Sequence, residues 1–150
     1  MSVNEQNIRD IFHRCGLRCT RQRELVYGAL AATKLHPTAE ELYRTVQLSD
    51  PGVSLATVYN TLDALLDCGL ARRIPGGEGP ARFDAHTHAH VHLVLPGGRV
   101  TDVPDDLSDR LLAGLCPQAM AELESRLGIR VDQLSLQLVA HGSPVAVNPA

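Results

Sequence analysis

Tryptophan is absent and only 3% of the 150 residues are aromatic. Cores must therefore be built from leucine, valine and alanine, within an apolar share of 44%. Too few aromatic faces remain to stack successive bases, which argues against single-stranded nucleic acid as a ligand. Paired cysteines are also lacking. Cys15, Cys19, Cys68 and Cys116 form no Cys-x-x-Cys, which excludes a four-cysteine zinc site and fits free thiols in a reducing compartment. No apolar run approaches the roughly 20 residues needed to cross a bilayer. The polar start, Met1-Ser-Val-Asn-Glu-Gln-Asn7, lacks the apolar stretch of a signal peptide. The expectation is a soluble, cytoplasmic protein with no membrane partner.

A strong charge bias is missing too, since the net charge is −3. Residues 1–84 carry ten Lys/Arg and ten Asp/Glu, whereas residues 85–150 carry four and seven. Any DNA-binding surface must then be a local patch in the first half, with Arg18, Arg21, Arg23, Arg72 and Arg73 as its material.

What the chain does have is histidine in a row. In Asp84-Ala-His-Thr-His-Ala-His-Val-His92, His86, His88, His90 and His92 occupy alternate positions. An extended backbone sends such residues to one face. Neutral imidazoles beside a carboxylate are ligands for first-row divalent metals. His13 and His141, by contrast, read as surface or helix-end residues.

Helical periodicity predicts a first helix over residues 4–14, ended by Gly16. Thr20 caps a second, with Leu25, Val26, Ala29 and Leu30 inward. Thr38-Ala-Glu-Glu41 is a capping box for a third, running to about Leu48 with Leu42, Tyr43 and Val46 inward. Ser54 caps a fourth through about Cys68, with Val58, Leu62, Leu65 and Leu66 buried and Gly69 at its end. Residues 71–74 and 81–84 read as short strands joined by a wing-like loop over residues 75–80. This order describes a winged helix-turn-helix, whose recognition helix enters the major groove. Thr57, Tyr59, Asn60 and Thr61 are expected on the outward side of that helix, and Arg72 and Arg73 flank the wing, suited to phosphates.

The second half alternates into strands over residues 90–95 and 99–103. A helix follows over residues 108–127, interrupted near Cys116-Pro117 and stopped at Gly128, and then a strand over residues 129–139. A unit this small needs a partner to complete its core, which points to a homodimer. The fold class is α+β: a winged-helix DNA-binding domain over residues 1–84, a hinge over 85–89, a small α/β dimerisation domain over 90–141, and a loose tail over 142–150.

With these residues in view, the sequence resembles the ferric uptake regulator (Fur) family of bacterial repressors. The matching stretches are Thr20-Arg-Gln-Arg23, His36-Pro-Thr-Ala-Glu-Glu-Leu-Tyr43, Ser54-Leu-Ala-Thr-Val-Tyr-Asn-Thr-Leu62, Gly69-Leu70, Arg82-Phe-Asp84 and His90-Val-His92. The resemblance implies a transcriptional repressor, not an enzyme, that binds a palindromic double-stranded operator as a homodimer when metal is loaded. It implies one regulatory divalent metal per subunit, Fe(II) or Mn(II) with Zn(II) able to substitute, on His36, Asp84, His90, His92 and Asp102. Asp102 requires a one-residue deletion in the preceding turn. Arg18, Thr20, Arg21, Ser54, Thr57, Tyr59, Asn60, Thr61, Arg72 and Arg73 are its DNA-contact candidates. Aspartate rather than glutamate after Arg82-Phe83 resembles the peroxide-responsive branch, in which iron-catalysed oxidation would fall on His36 and His90. Where most members hold structural zinc in a Cys-x-x-Cys, this chain has Leu95-Pro-Gly-Gly98, so no structural zinc is expected. His86 and His88 are left as hinge residues or extra metal ligands. The competing readings are a metal-independent winged-helix regulator with a degenerate site and a His/carboxylate metalloenzyme.

Overall fold

Three polar side chains set where the winged half begins its helices. Thr20 accepts from the Arg23 amide at the start of α2 (Arg21–Ala31), and Ser54 accepts from the Thr57 amide at the start of α4 (Leu55–Asp67). At α3 (Ala39–Gln47) the capping box is complete: Thr38 Oγ1 accepts from the Glu41 amide (3.2 Å) and Glu41 Oε2 accepts from the Thr38 amide (2.9 Å). Each hydroxyl satisfies an amide that the helix itself leaves without a carbonyl. The chain, a computed structural model, is described over residues 5–74, 79–132 and 134–142. The central part of the wing loop, residues 75–78, and the tail from residue 143 lie outside the described residues. Among the described residues no helix is long and apolar enough to cross a membrane.

The chain divides into two compact units, Met1–Thr87 and His88–Ala150. In the first, α1 (Glu5–Arg14) and the three capped helices enclose Ile8, Phe12, Val26, Leu30, Leu42, Val46, Val58, Leu62 and Leu65. Tyr27, which periodicity does not single out, is also buried, its ring 5.4 Å from that of Phe12. Leu25 and Ala29 are only partly buried. Gly69, at φ 70°, lets the backbone turn left-handed after α4 and enter the wing. The wing is an antiparallel pair, β1 (Arg72–Ile74) and β2 (Arg82–Asp84), with Arg72 opposite Asp84. A single bridge, Thr38 to Arg82, ties β2 to the segment before α3.

In the second unit β3 (Val91–Val94) lies between β4 (Val100–Asp102), antiparallel, and β5 (Leu136–Val139), parallel. The helices are α5 (Asp105–Ala113) and α6 (Pro117–Leu127). α5 starts three residues before the expected Ser108. Pro104 supplies its first carbonyl, and buried Ser108 instead accepts from the Val91 amide (2.8 Å), tying α5 to β3. The strand expected over residues 129–139 shrinks to its last four residues. After Gly128 the Ile129 amide donates to the Glu124 carbonyl and the Val131 amide to Glu124 Oε1, so these groups close α6 rather than extend the sheet.

α6 buries none of its residues within the chain, and Leu107, Leu111, Leu123, Leu127, Ile129, Leu138 and Val139 are exposed. Leu93, Val103, Pro104, Leu107, Leu111 and Leu138, with Arg110, line a largely apolar groove of ≈ 510 Å³.

Candidate metal centre and nucleic-acid face

β2 acts as a ruler for the candidate ligands of the first unit. Extending the antiparallel Thr38–Arg82 bridge by two residues sets His36 opposite Asp84, and the β1 register sets Arg72 opposite Asp84 on the other side. The side chains follow: His36 Nδ1 lies 3.6 Å from Asp84 Oδ1, and Arg72 Nε donates to Asp84 Oδ2 at 3.2 Å. His36 and Asp84 are each 1% exposed. A carboxylate so deeply buried is tolerable because charged and polar groups surround it. His86 joins from the next turn, its amide donating to Asp84 Oδ1 (2.8 Å) with the ring Nδ1 3.4 Å away.

The second unit gathers its candidate ligands at the β3–β4 hairpin. His92 pairs with Asp102 in register. Asp102 Oδ1 lies 3.0 Å from His90 Nε2 and 3.8 Å from His92 Nε2. His90 Nδ1 is 2.9 Å from the His88 carbonyl, which can only accept, so this hydrogen bond puts the hydrogen on Nδ1 and leaves Nε2 as the candidate donor to a metal. Ligands about one ion at bond lengths of about 2.1 Å lie about 3–3.5 Å apart. The His90–Asp102 spacing falls in that range. An imidazole and carboxylate set suits Fe(II), Mn(II) or Zn(II). His88 itself is exposed, its ring 5.1 Å from that of His90.

On the helical side, Ala56, Tyr59, Asn60 and Asp63 are exposed along one stripe of α4, and the capping Ser54 is exposed before it. Thr61 is not on it: at 1% exposure it is turned into the core, correcting the expectation that it faces outward. Thr61 is three residues from Val58 and four from Leu65, so it shares their face. Thr57 is half-buried and its hydroxyl meets that of Ser54 at 2.9 Å. Thr20 and Ser54 serve as caps. Tyr59 donates to Glu40 Oε1 on α3 (2.7 Å), and this bond pushes the Tyr59 pKa up and the Glu40 pKa down. Arg18, Arg21 and Arg73 are exposed, with the Arg73 guanidinium 5.7 Å from the centre of the Phe83 ring. Arg72 differs, since its guanidinium is turned inward onto Asp84 with 11% side-chain exposure. The phosphate contact expected of Arg72 gives way to an ion pair with a candidate ligand.

Sequence reasoning missed Ala56 and Asp63, which the stripe i, i+3, i+7 from Ala56 would have found. It also missed Glu40, Glu41 and Arg82 as neighbours of the sites, because those contacts cross between elements. Cys19 donates to Glu24 (3.1 Å), and this bond raises the thiol's pKa, the wrong direction for a reactive thiolate.

A helical core with a β-wing, followed by a small α/β unit bearing histidine and carboxylate, defines a winged-helix protein with a candidate metal centre. The ferric uptake regulator family model matches residues 14–126, and the chain belongs to that family. It is 38% identical over 88 residues to the peroxide-responsive repressor PerR of Staphylococcus saprophyticus, a match covering 58% of this chain and 60% of that protein. Its fold is similar to the ferric uptake regulator of Vibrio cholerae (TM-score 0.66, 27% identity, covering 89% of this chain and 98% of that one). It is equally similar to the manganese-containing structure of the Pseudomonas aeruginosa ferric uptake regulator (TM-score 0.66, 25% identity, covering 91% and 98%).

Proposed function

We propose that this protein is a metal-dependent transcriptional repressor that binds a palindromic operator as a homodimer. The observation that carries the reading is the pair of half-sites on either side of residues 85–89. His36 with Asp84, and His90 with His92 and Asp102, each offer fewer donors than the six that Fe(II) or Mn(II) prefers. An ion that takes all five must draw on both units, so its binding restricts the hinge and selects a DNA-competent arrangement. Arg18, Arg21 and Arg73 are the phosphate contacts, and Tyr59 and Asn60 on α4 meet base edges. The exposed leucines of α5, α6 and β5 are the dimer face, since an apolar surface of this extent is costly in water. Among its described residues the unit buries few apolar side chains, Val91, Val100 and Val103, and a second copy supplies the rest of the core.

The test is operator binding against added Mn(II) in wild type and in His90→Ala. Affinity that rises steeply with Mn(II) only in wild type supports the switch. Equal binding by apo and loaded protein favours a metal-independent regulator instead. Peroxide sensing is a second reading, favoured by aspartate at position 84 and by the PerR relative. Treating the Fe(II) protein with hydrogen peroxide should then add oxygen to His36 or His90, read by peptide mass spectrometry. Unmodified peptides with intact DNA binding leave metal sensing alone.

A further inference from the structure

We propose that Arg82 is a positioning residue for the ligand His36, acting on its main chain rather than its ring. The inference rests on the metal reading above. Among the described residues His36 is the one non-glycine with positive φ, at 44°. An L-residue avoids that region because Cβ crowds the backbone. The next residue is Pro37, which steers its predecessor towards extended backbone, so the conformation is disfavoured twice. Such a conformation persists where its surroundings over-determine it.

The surroundings are these. Arg82 Nη1 donates to the His36 carbonyl at 3.0 Å and to Glu41 Oε2 at 3.0 Å. Glu41 Oε2 also accepts from the Thr38 amide at 2.9 Å, and the Phe83 amide donates to the Pro37 carbonyl at 3.0 Å. Each of residues 36, 37 and 38 thus has a main-chain group fixed, and every partner comes from β2 or from the capping box of α3. The Arg82 side chain is 17% exposed, and two hydrogens on one nitrogen serve two acceptors with charge assistance. Because Asp84 lies two residues further along β2, the clamp on His36 also sets the spacing of His36 and Asp84. Arg82 read instead as a phosphate contact would leave this backbone unexplained.

The experiment measures Mn(II) affinity by calorimetry, the Co(II) ligand-field spectrum, and the His36 carbonyl carbon shift of the apo protein. Wild type, Arg82→Met and Arg82→Lys are compared. Loss of such an orienting partner typically weakens metal binding about 10–100-fold. We expect that loss in Arg82→Met, with an altered Co(II) spectrum and a shifted His36 carbonyl resonance. Lysine keeps the charge but reaches less far and lacks the fork, so Arg82→Lys should lose about ten-fold on the same grounds. Should the Met variant not fold, the Lys variant decides. Wild-type affinity and an unchanged Co(II) spectrum in the folded variant overturn the proposal. Operator binding by each metal-loaded variant is measured alongside, and weaker DNA binding without a change in metal affinity also overturns the proposal and makes Arg82 a phosphate contact. Failure of wild type itself to bind Mn(II) or Co(II) overturns the metal reading, and the proposal with it.

Discussion

His36 does two things that pull in different directions: it holds a left-handed backbone that suits asparagine or glycine, and it presents an imidazole to Asp84. The two are separable by substitution. Asparagine tolerates the left-handed region and alanine does not, at a difference of about 1 kcal/mol. Apo His36→Asn should therefore be more stable than apo His36→Ala by about that amount in urea melts, while both lose Mn(II) affinity. Equal stability would mean that the backbone is unstrained. Tyr59 and Glu40 give a second residue-scale test. The tyrosine hydrogen bond, first, and Glu40's own amide hold the Glu40 carboxyl below its ordinary pKa. A depressed carboxylate contributes stability above its ordinary pKa and loses it as pH falls through the folded pKa. The raised Tyr59 pKa sets the upper limit, where the contribution is lost as pH rises through the tyrosine's folded pKa. Tyr59→Phe should return Glu40 towards the ordinary carboxylate range, as followed by carbon NMR titration of its carboxyl. A titration curve unchanged by Tyr59→Phe would show that the contact does not form in solution.

Elements whose ends are set by neighbouring residues were legible in the sequence. Thr20, Thr38 and Ser54 each cap the helix expected of them, because a cap is a contact across three residues and needs no knowledge of the fold. Ser54→Ala should cost about 1 kcal/mol of thermal or urea stability. No measurable loss would mean that the cap at α4 contributes nothing. The candidate ligands His36, Asp84, His90 and His92 could be named for another reason: they sit in the stretches that carry the family resemblance, whereas Asp102 lies outside them. What stayed hidden depends on contacts between elements. Thr61 is the exception, since its spacing of three from Val58 and four from Leu65 already puts it on their buried face. Arg72 turns to Asp84 because the wing register sets them opposite, a pairing that linear order does not reveal. The start of the last strand failed because Glu124, on the preceding helix, captures the amides of Ile129 and Val131.

For the whole molecule, the second unit carries an exposed row of leucines on α5, α6 and β5 and buries little within one chain. If a second copy covers this face, Leu111→Glu together with Leu138→Glu should convert a dimer to monomer in sedimentation velocity, and operator binding should fall with it. A double variant that sediments as wild type would place the interface elsewhere. The larger claim is that one ion, shared by residues before and after the hinge, controls DNA affinity. It requires that ligands from both units matter equally and depend on one another. The most direct measurement is the Mn(II)-induced gain in operator affinity for wild type, His36→Ala, His92→Ala and the double variant. The account predicts a large gain in wild type, none in either single variant, and no further effect in the double variant. A full gain in either single variant, or strong metal-free binding by wild type, would contradict it.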